Sequence, residues 1–128
     1  MTSKFTELAI DCADPIGLAQ FWCAVLGYEV QGDDDGVITI GSPSFPEGKN
    51  HPGPVPPVLT FERVPEGKTA KNRVHLDVSP ADREQDEEIA RLVGLGATVI
   101  YDNRPEFGWV TLTDPEGNEF DVLGDRRS

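Results

Sequence analysis

The sequence has little of several features that mark common classes of protein. Only two of its 128 residues are cysteine, and Cys12 and Cys23 make neither a disulfide framework nor a CxxC metal motif. We expect both to be small buried apolar residues. A run of about 18 apolar residues and a basic leader are both missing, so neither a membrane span nor secretion is predicted, and the expected location is the cytoplasm. The sequence also has no glycine-rich phosphate loop and no GxSxG motif, which disfavours nucleotide binding and serine hydrolysis.

Basic residues are scarce as well. The chain has 23 acidic and 11 basic residues, a formal net charge of −12, which argues against nucleic acid or an anionic membrane as a partner. Such a charge can attract cations, although a solvated acidic surface is its more common meaning. With 38% apolar and 27% charged residues, the chain is predicted to be globular, and its length fits a single domain, residues 1–128.

Histidine occurs only twice, and one of the two lies in an informative pattern. His51 is surrounded by prolines, whereas His75 lies in residues 73–78, where apolar and polar residues alternate. This period of two predicts a strand that has His75 and Asp77 on one face. Two interpretations remain open: a half-exposed strand histidine without a task, or the centre of metal or proton chemistry.

The chain repeats one order of elements. In the first half, a strand at 5–12 is followed by a helix that Asp14 caps, that Pro15 begins and that Gly27 ends. In the second half, Ser79 and Pro80 are predicted to begin the corresponding helix, with Asp82 in its capping box and the run 82–88 in water. Alternating patterns predict the other strands at 28–31, 37–40, 58–64, 98–101, 109–113 and 119–123.

The two halves align at Leu26-Gly27 with Leu95-Gly96, which also brings Glu7 opposite His75. We therefore predict an α+β fold of two tandem βαβββ modules, about 5–64 and 73–124, joined by a linker at 65–72. The mostly antiparallel sheets are expected to curve into a cup, with one helix per module on the outside.

Two loops leave alternatives open. The acidic run 32–36 suggests calcium superficially, but it lacks the spacing of an EF-hand loop, so a hairpin turn is favoured. The proline-rich segment 41–57 is predicted to hold no regular structure. It is either a functional flap over a pocket or a tolerated insertion.

The stretches 8–14, 21–22, 25–28, 71–77 and 114–120 resemble the vicinal oxygen chelate superfamily. This superfamily includes glyoxalase I, extradiol dioxygenases, fosfomycin-modifying enzymes and bleomycin-binding proteins, and the chain looks closest to its small glyoxalase-like members. The resemblance covers residues 5–124 and implies the fold more strongly than the reaction, because one scaffold hosts many chemistries.

The resemblance also implies ligand positions, on the first and last strands of each module. In this sequence they are Glu7, Thr60, His75 and Asp121. Glu7 stands where metal-binding members commonly have histidine, and Thr60 where they often have glutamate. The remaining Glu7, His75 and Asp121 would suit iron, manganese, nickel, magnesium or zinc, although they are also what a wet, metal-free pocket would contain.

The resemblance supports two functions. The first is a divalent-metal-dependent lyase, isomerase or dioxygenase that acts on a substrate with vicinal oxygens, with Glu62 or Asp77 as base. The second is a metal-free protein of the bleomycin-resistance type that sequesters a cationic small molecule. The expected pocket residues are Asp11, Thr60, Trp109 and Thr111, although Trp109 would also suit a plain core. Related small members pair as homodimers, so a homodimer is expected.

Overall fold

In the computed structural model, which describes residues 2–124, the chain divides into two units. The N-terminal unit extends to Gly67 and the C-terminal unit begins at Lys68. Each unit contains a strand, a helix and three further strands, and its strands form one four-stranded sheet. The predicted α+β fold with two similar βαβββ modules is therefore confirmed. None of the helices in residues 2–124 is long and apolar enough to cross a membrane.

The N-terminal unit has its strands in the order β1-β4-β3-β2. The β1 and β4 strands are parallel, whereas β4/β3 and β3/β2 are antiparallel. The elements are β1 (Glu7–Cys12), α1 (Pro15–Leu26), β2 (Glu29–Asp34), β3 (Val37–Gly41), a 3₁₀ turn (Gly48–Asn50) and β4 (Val58–Arg63). The 3₁₀ turn corrects the prediction that the proline-rich segment holds no regular structure, because one short turn forms between its prolines.

Helix α1 begins and ends where the sequence predicts. The Asp14 side chain accepts a hydrogen bond from the Gly17 amide at 3.2 Å, and Gly27 ends the helix with a φ of 68°. A left-handed residue at this position is cheapest as glycine, which has no Cβ to clash. The apolar stripe of the helix faces β3 and β4. Its buried members include Leu18, Phe21 and Trp22.

A bulge in the β2–β3 hairpin fixes the start of the proline-rich segment. Val30 pairs with Ile40 and Gly32 pairs with Thr39, so Gln31 is an extra residue in β2. Its amide group donates hydrogen bonds of 3.1 Å to the carbonyl oxygens of Ser42 and Phe45. The loop is therefore tied to the sheet at its beginning. The acidic run forms the end of β2 and the tight turn to β3, as favoured over calcium, and β2 ends three residues later than predicted.

The C-terminal unit repeats this topology, with strands in the order β5-β8-β7-β6 and a parallel β5/β8 pair. Its elements are β5 (Leu76–Val78), α2 (Gln85–Leu95), β6 (Thr98–Asp102), β7 (Val110–Thr113) and β8 (Glu119–Val122). Strand β5 is shorter than the predicted 73–78, and Val74 is 72% exposed rather than part of an apolar face. Val99 pairs with Leu112 and Tyr101 with Thr111, so Ile100 is a bulge residue in β6.

The start of helix α2 differs from the prediction. The helix begins after Glu84, not at Ser79-Pro80, and Asp82 takes no part in its cap. Glu84 and Glu87 form a reciprocal capping box, in which each side chain accepts from the backbone of the other. The prediction that residues 82–88 lie in water is also wrong at Glu88. This residue is 6% exposed and accepts two hydrogen bonds of 2.8 Å from Arg91.

Candidate metal centre

Three side chains with metal-ligating atoms lie close together at the parallel β5/β8 pair. The Nδ1 atom of His75 lies 3.2 Å from Oδ1 of Asp77 and 3.7 Å from Oδ2 of Asp121. One donor atom from each residue falls within 4.8 Å of the others. The strand register explains this proximity, because Asp77 and Asp121 are direct partners and His75 lies just before β5, two residues from Asp77. The three side chains form what we call the His-Asp-Asp cluster.

The cluster is open on one side. The side chains of His75 and Asp77 are 39% and 48% exposed, whereas that of Asp121 is 13% exposed. An ion held by these atoms would thus keep contact with solvent or with a ligand.

Asp121 is also held from its other side. The Thr111 hydroxyl donates to Oδ1 of Asp121 at 2.6 Å, and the side-chain amide of Asn103 donates to Oγ1 of Thr111 at 3.3 Å. Thr111 and Asp121 are direct partners in the antiparallel β7/β8 pair. Oδ1 of Asp121 thus accepts from a neutral hydroxyl, while Oδ2 faces Nδ1 of His75.

An open cleft of about 360 Å³ lies beside the cluster. Its lining combines ionisable side chains, among them His75, Glu119 and Asp121, with apolar and aromatic side chains. Its lining residues are Lys71, His75, Ile100, Tyr101, Trp109, Thr111, Glu119 and Asp121. The Trp109 ring is stacked on Phe107, with ring centroids 5.0 Å apart and planes 19° apart. We call the stacked pair of Phe107 and Trp109, of which Trp109 lines the cleft, the aromatic wall.

Glu119 is tied to the segment that precedes His75. Its carboxylate accepts from the Asn72 backbone amide and from the Lys68 ammonium group, both at 3.1 Å. Burial raises the pKa of Glu119, but these hydrogen bonds and the Lys68 charge outweigh burial and leave the pKa below its usual value. A carboxylate with a lowered pKa is a weak base, so Glu119 is better suited to holding the chain than to accepting a proton.

The other predicted ligand positions lie in the N-terminal unit. Oε2 of Glu7 accepts a hydrogen bond of 2.6 Å from the Thr60 hydroxyl, which in turn lies 3.4 Å from the hydroxyl oxygen of Thr39. Thr60 is 8% exposed. The structure thus brings together His75 and Asp121 of the predicted ligands, and the place of Glu7 beside them stays a prediction.

Two further predicted residues also belong to the N-terminal unit. Asp11 and Glu62 are exposed partners in the parallel β1/β4 pair. Glu62 lines a different cleft, of about 400 Å³, together with Asp33, Asp35 and Arg63. The predicted roles of Glu62 as base and of Asp11 as pocket residue stay predictions.

Some site residues have only a weak signal in the sequence. Asp77 shares the period-two face of His75, which could have indicated a ligand as readily as the base we predicted. Asn103 begins a polar and glycine-containing loop, and nothing in the local pattern indicates its contact with Thr111. Ile100 and Tyr101 reach the cleft edge at a bulge, a feature that an alternating pattern does not reveal.

The sequence pattern of the glyoxalase-like domain family matches residues 7–123. No curated protein sequence is matched by the chain.

Several solved structures have a similar fold. A glyoxalase/bleomycin resistance protein/dioxygenase family enzyme from Burkholderia phytofirmans PsJN is 16% identical, with a TM-score of 0.68 over 94% of this chain and 97% of that one. The trypanothione-dependent glyoxalase I of Leishmania major is 15% identical, with a TM-score of 0.65 over 98% and 88%. A mutant of the fosfomycin resistance protein FosX from Listeria monocytogenes, in complex with Mn(II) and 1S,2S-dihydroxypropylphosphonic acid, is 11% identical, with a TM-score of 0.69 over 99% and 94%.

These identities are low enough that the structural matches concern the fold alone. The match to the family pattern covers both modules, and the doubled βαβββ topology agrees with it. The chain belongs to the glyoxalase-like domain family.

Proposed function

We propose that the chain is a divalent-metal-dependent enzyme that acts on a small substrate with adjacent oxygen atoms. The observation that carries the proposal is the His-Asp-Asp cluster, in which His75 Nδ1 lies 3.2 Å from Asp77 and 3.7 Å from Asp121, beside a cleft of about 360 Å³. Complexes of related folds support the reaction class, because the Listeria FosX mutant holds Mn(II) together with a diol.

The donor atoms of the cluster fit such an ion. One imidazole nitrogen and two carboxylate oxygens suit manganese, iron, nickel, magnesium or zinc, and the acidic charge balances a divalent cation. In this proposal Asp77 is a ligand rather than the base. A bound ion would supply Lewis acidity toward the substrate oxygens.

The remaining cleft residues would bind and orient the substrate. Trp109, which is stacked on Phe107, offers a flat apolar surface against which an apolar part of the substrate would pack. Lys71 lines the same cleft and carries the positive charge that an anionic substrate group would need. Together they favour a substrate with an apolar part and an anionic or oxygen-rich part.

Metal binding by calorimetry tests the proposal. The wild-type protein is titrated with Mn²⁺, Ni²⁺, Mg²⁺ and Zn²⁺ after chelator treatment, beside the variants His75→Ala, Asp121→Asn and Asp77→Asn. Loss of one of three ligands is expected to weaken affinity by at least about 100-fold. His51→Ala is the matched control, since it removes the other histidine and should bind as the wild type does.

Each variant separates two outcomes. Wild-type affinity in His75→Ala would contradict the proposed centre. Full metal binding by Asp77→Asn, together with lost turnover, would return Asp77 to the role of base. Glu7→Gln is measured in the same series, and weakened binding would support the predicted part of Glu7.

The aromatic wall favours a second candidate, a metal-free protein that sequesters a cationic aromatic molecule. The stacked Phe107–Trp109 pair and the acidic residues of the cleft are the chemistry that such a ligand needs. Thermal-shift measurements distinguish the two candidates. Stabilisation by divalent ions that depends on His75 supports the enzyme, and stabilisation by basic aromatic compounds that depends on Trp109 supports the binding protein.

A further inference from the structure

We propose that Thr111 and Asn103 are positioning residues that orient Asp121 for metal binding, a role that rests on the proposed function. Thr111 was expected to contact the substrate. Thr111 does line the cleft, and its hydroxyl in addition donates to Asp121 and accepts from Asn103.

The donors and acceptors leave one direction for the hydrogen bonds. The side-chain NH₂ group of Asn103 can only donate, so the Thr111 oxygen is the acceptor of the 3.3 Å contact. A threonine hydroxyl has a single proton, and the 2.6 Å contact to Asp121 is where that proton is used. The Asn103–Thr111–Asp121 relay therefore runs from the amide to the carboxylate.

The relay assigns different tasks to the two oxygens of Asp121. Oδ1 accepts from Thr111, and Oδ2 faces His75 Nδ1 at 3.7 Å. A hydrogen bond to one oxygen of a ligating carboxylate fixes its plane and leaves the other oxygen for the metal. Because Thr111 and Asp121 are direct strand partners, the backbone holds this geometry.

Asn103 connects the relay to the aromatic wall. Its backbone carbonyl oxygen accepts hydrogen bonds from the backbone amides of Phe107 at 2.8 Å and Gly108 at 3.2 Å. Its backbone amide donates to the Trp109 carbonyl oxygen at 3.0 Å. Asn103 thus closes the loop that presents Phe107 and Trp109. The residue that holds the aromatic wall therefore also contacts the group that orients Asp121.

The experiment compares removal and retention of the Thr111 hydroxyl. Thr111→Val keeps the shape and removes the donor, whereas Thr111→Ser keeps the donor. Asn103→Asp removes the amide donor at the far end of the relay. Thr39→Val is the matched control, because Thr39 lies directly opposite Thr60 in the N-terminal unit as Thr111 lies opposite Asp121.

Two measurements are made on each variant: metal affinity by calorimetry, and the χ1 rotamer of Asp121 in the metal-free protein from NMR scalar couplings. Thr111→Val is expected to weaken metal binding by about 10- to 100-fold and to let Asp121 occupy several rotamers. Thr111→Ser and Thr39→Val should keep wild-type affinity and one rotamer. Asn103→Asp should show a loss in the same direction that is smaller than that of Thr111→Val.

The two measurements keep the two proposals apart. A wild-type protein that binds no divalent ion contradicts the proposed function, while the rotamer comparison still tests the relay. A single Asp121 rotamer with unchanged affinity in Thr111→Val would overturn the relay. Because a purely structural role would lower the melting temperature without moving the rotamer of Asp121, the NMR measurement also excludes that explanation.

Discussion

The N-terminal and C-terminal units have the same strand order, but side chains of different chemical type occupy their matching positions. Glu7 lies two residues before Ala9, the strand partner of Thr60, and His75 lies two residues before Asp77, the strand partner of Asp121. In the N-terminal unit a carboxylate accepts from a hydroxyl, whereas in the C-terminal unit an imidazole faces a carboxylate. The carboxylate thus belongs to the first strand of the N-terminal unit, as Glu7, but to the last strand of the C-terminal unit, as Asp121. The two units therefore share the strand register but differ in the chemistry of the matching positions.

The long and short connections are exchanged as well. In the N-terminal unit the β2–β3 turn is tight and the β3–β4 connection is long, whereas in the C-terminal unit β6–β7 is long and β7–β8 is short. The bulge residue follows this difference. Gln31 ties down the long loop of its unit, while Ile100, at the matching bulge, lines the cleft.

The largest effect is expected for Thr60→Asp, which places in the N-terminal unit the carboxylate that Asp121 provides in the C-terminal unit. Thr60 is 8% exposed and its hydroxyl contacts the Glu7 carboxylate at 2.6 Å. A second carboxylate there would be buried beside a like charge, so we expect a loss of about 3 kcal/mol in the free energy of unfolding at neutral pH. Urea unfolding at pH 7 and pH 4 measures it, and the loss should shrink at the lower pH. Thr60→Asn is the uncharged control, and an equal loss in both variants would contradict the charge argument.

A smaller effect compares the helix caps of the two units. Asp14→Ala removes the acceptor for the Gly17 amide and should cost about 1 kcal/mol of unfolding free energy. Glu87→Ala removes only one arm of the capping box, because the Glu84 side chain still accepts from the backbone. It should therefore cost less, about 0.5 kcal/mol. Chemical denaturation of both variants gives the comparison, with Glu106→Ala as an exposed control. A larger loss for Glu87→Ala would reverse this ranking.

The smallest expected effect is a pH dependence at Glu119. Its folded pKa lies below the usual value of 4.5 because the hydrogen bonds from Asn72 and Lys68 outweigh burial. The stabilisation is therefore complete above pH 4.5 and is lost as the pH falls through the lower folded pKa. Glu119→Gln should flatten the dependence of unfolding free energy on pH below this value, as acid titrations of melting temperature would show. Glu66→Gln is the control, and the same flattening there would contradict the assignment to Glu119.

The parts of the fold that depend on local chemistry could be predicted from the sequence. Asp14, Pro15 and Gly27 determine the ends of α1 through contacts within one turn, so their pattern was sufficient. The predicted start of α2 was wrong because Ser79-Pro80 is a commoner capping pattern. The actual N-cap is Glu84, and glutamate is less favoured at N-cap positions. Local preference alone did not select between two nearby capping boxes.

The site depends on contacts that local patterns do not contain. The alternation around His75 correctly placed Asp77 on the same side, since both follow from one short segment. The resemblance supplied Asp121, which lies 3.7 Å from His75. Asn103 was missed because its contact with Thr111 needs the whole β6–β7 loop to fold back. Sequence patterns predict which face a residue occupies, but a hydrogen-bonded partner across a loop requires the tertiary structure.

The hydrogen bonds by which Gln31 holds the proline-rich segment limit the substitutions that neighbouring positions tolerate. A Cβ atom added at Gly41 or at Gly48 would collide with Oε1 of Gln31, so the three positions occupy one shared space. A larger residue at Gly41 would displace the Gln31 side chain, and such a displacement, like the shortening of Gln31, would release Ser42 and Phe45. Among relatives with this loop, positions 31 and 41 should covary. A mutational library of this protein should recover changes there as pairs, not singly.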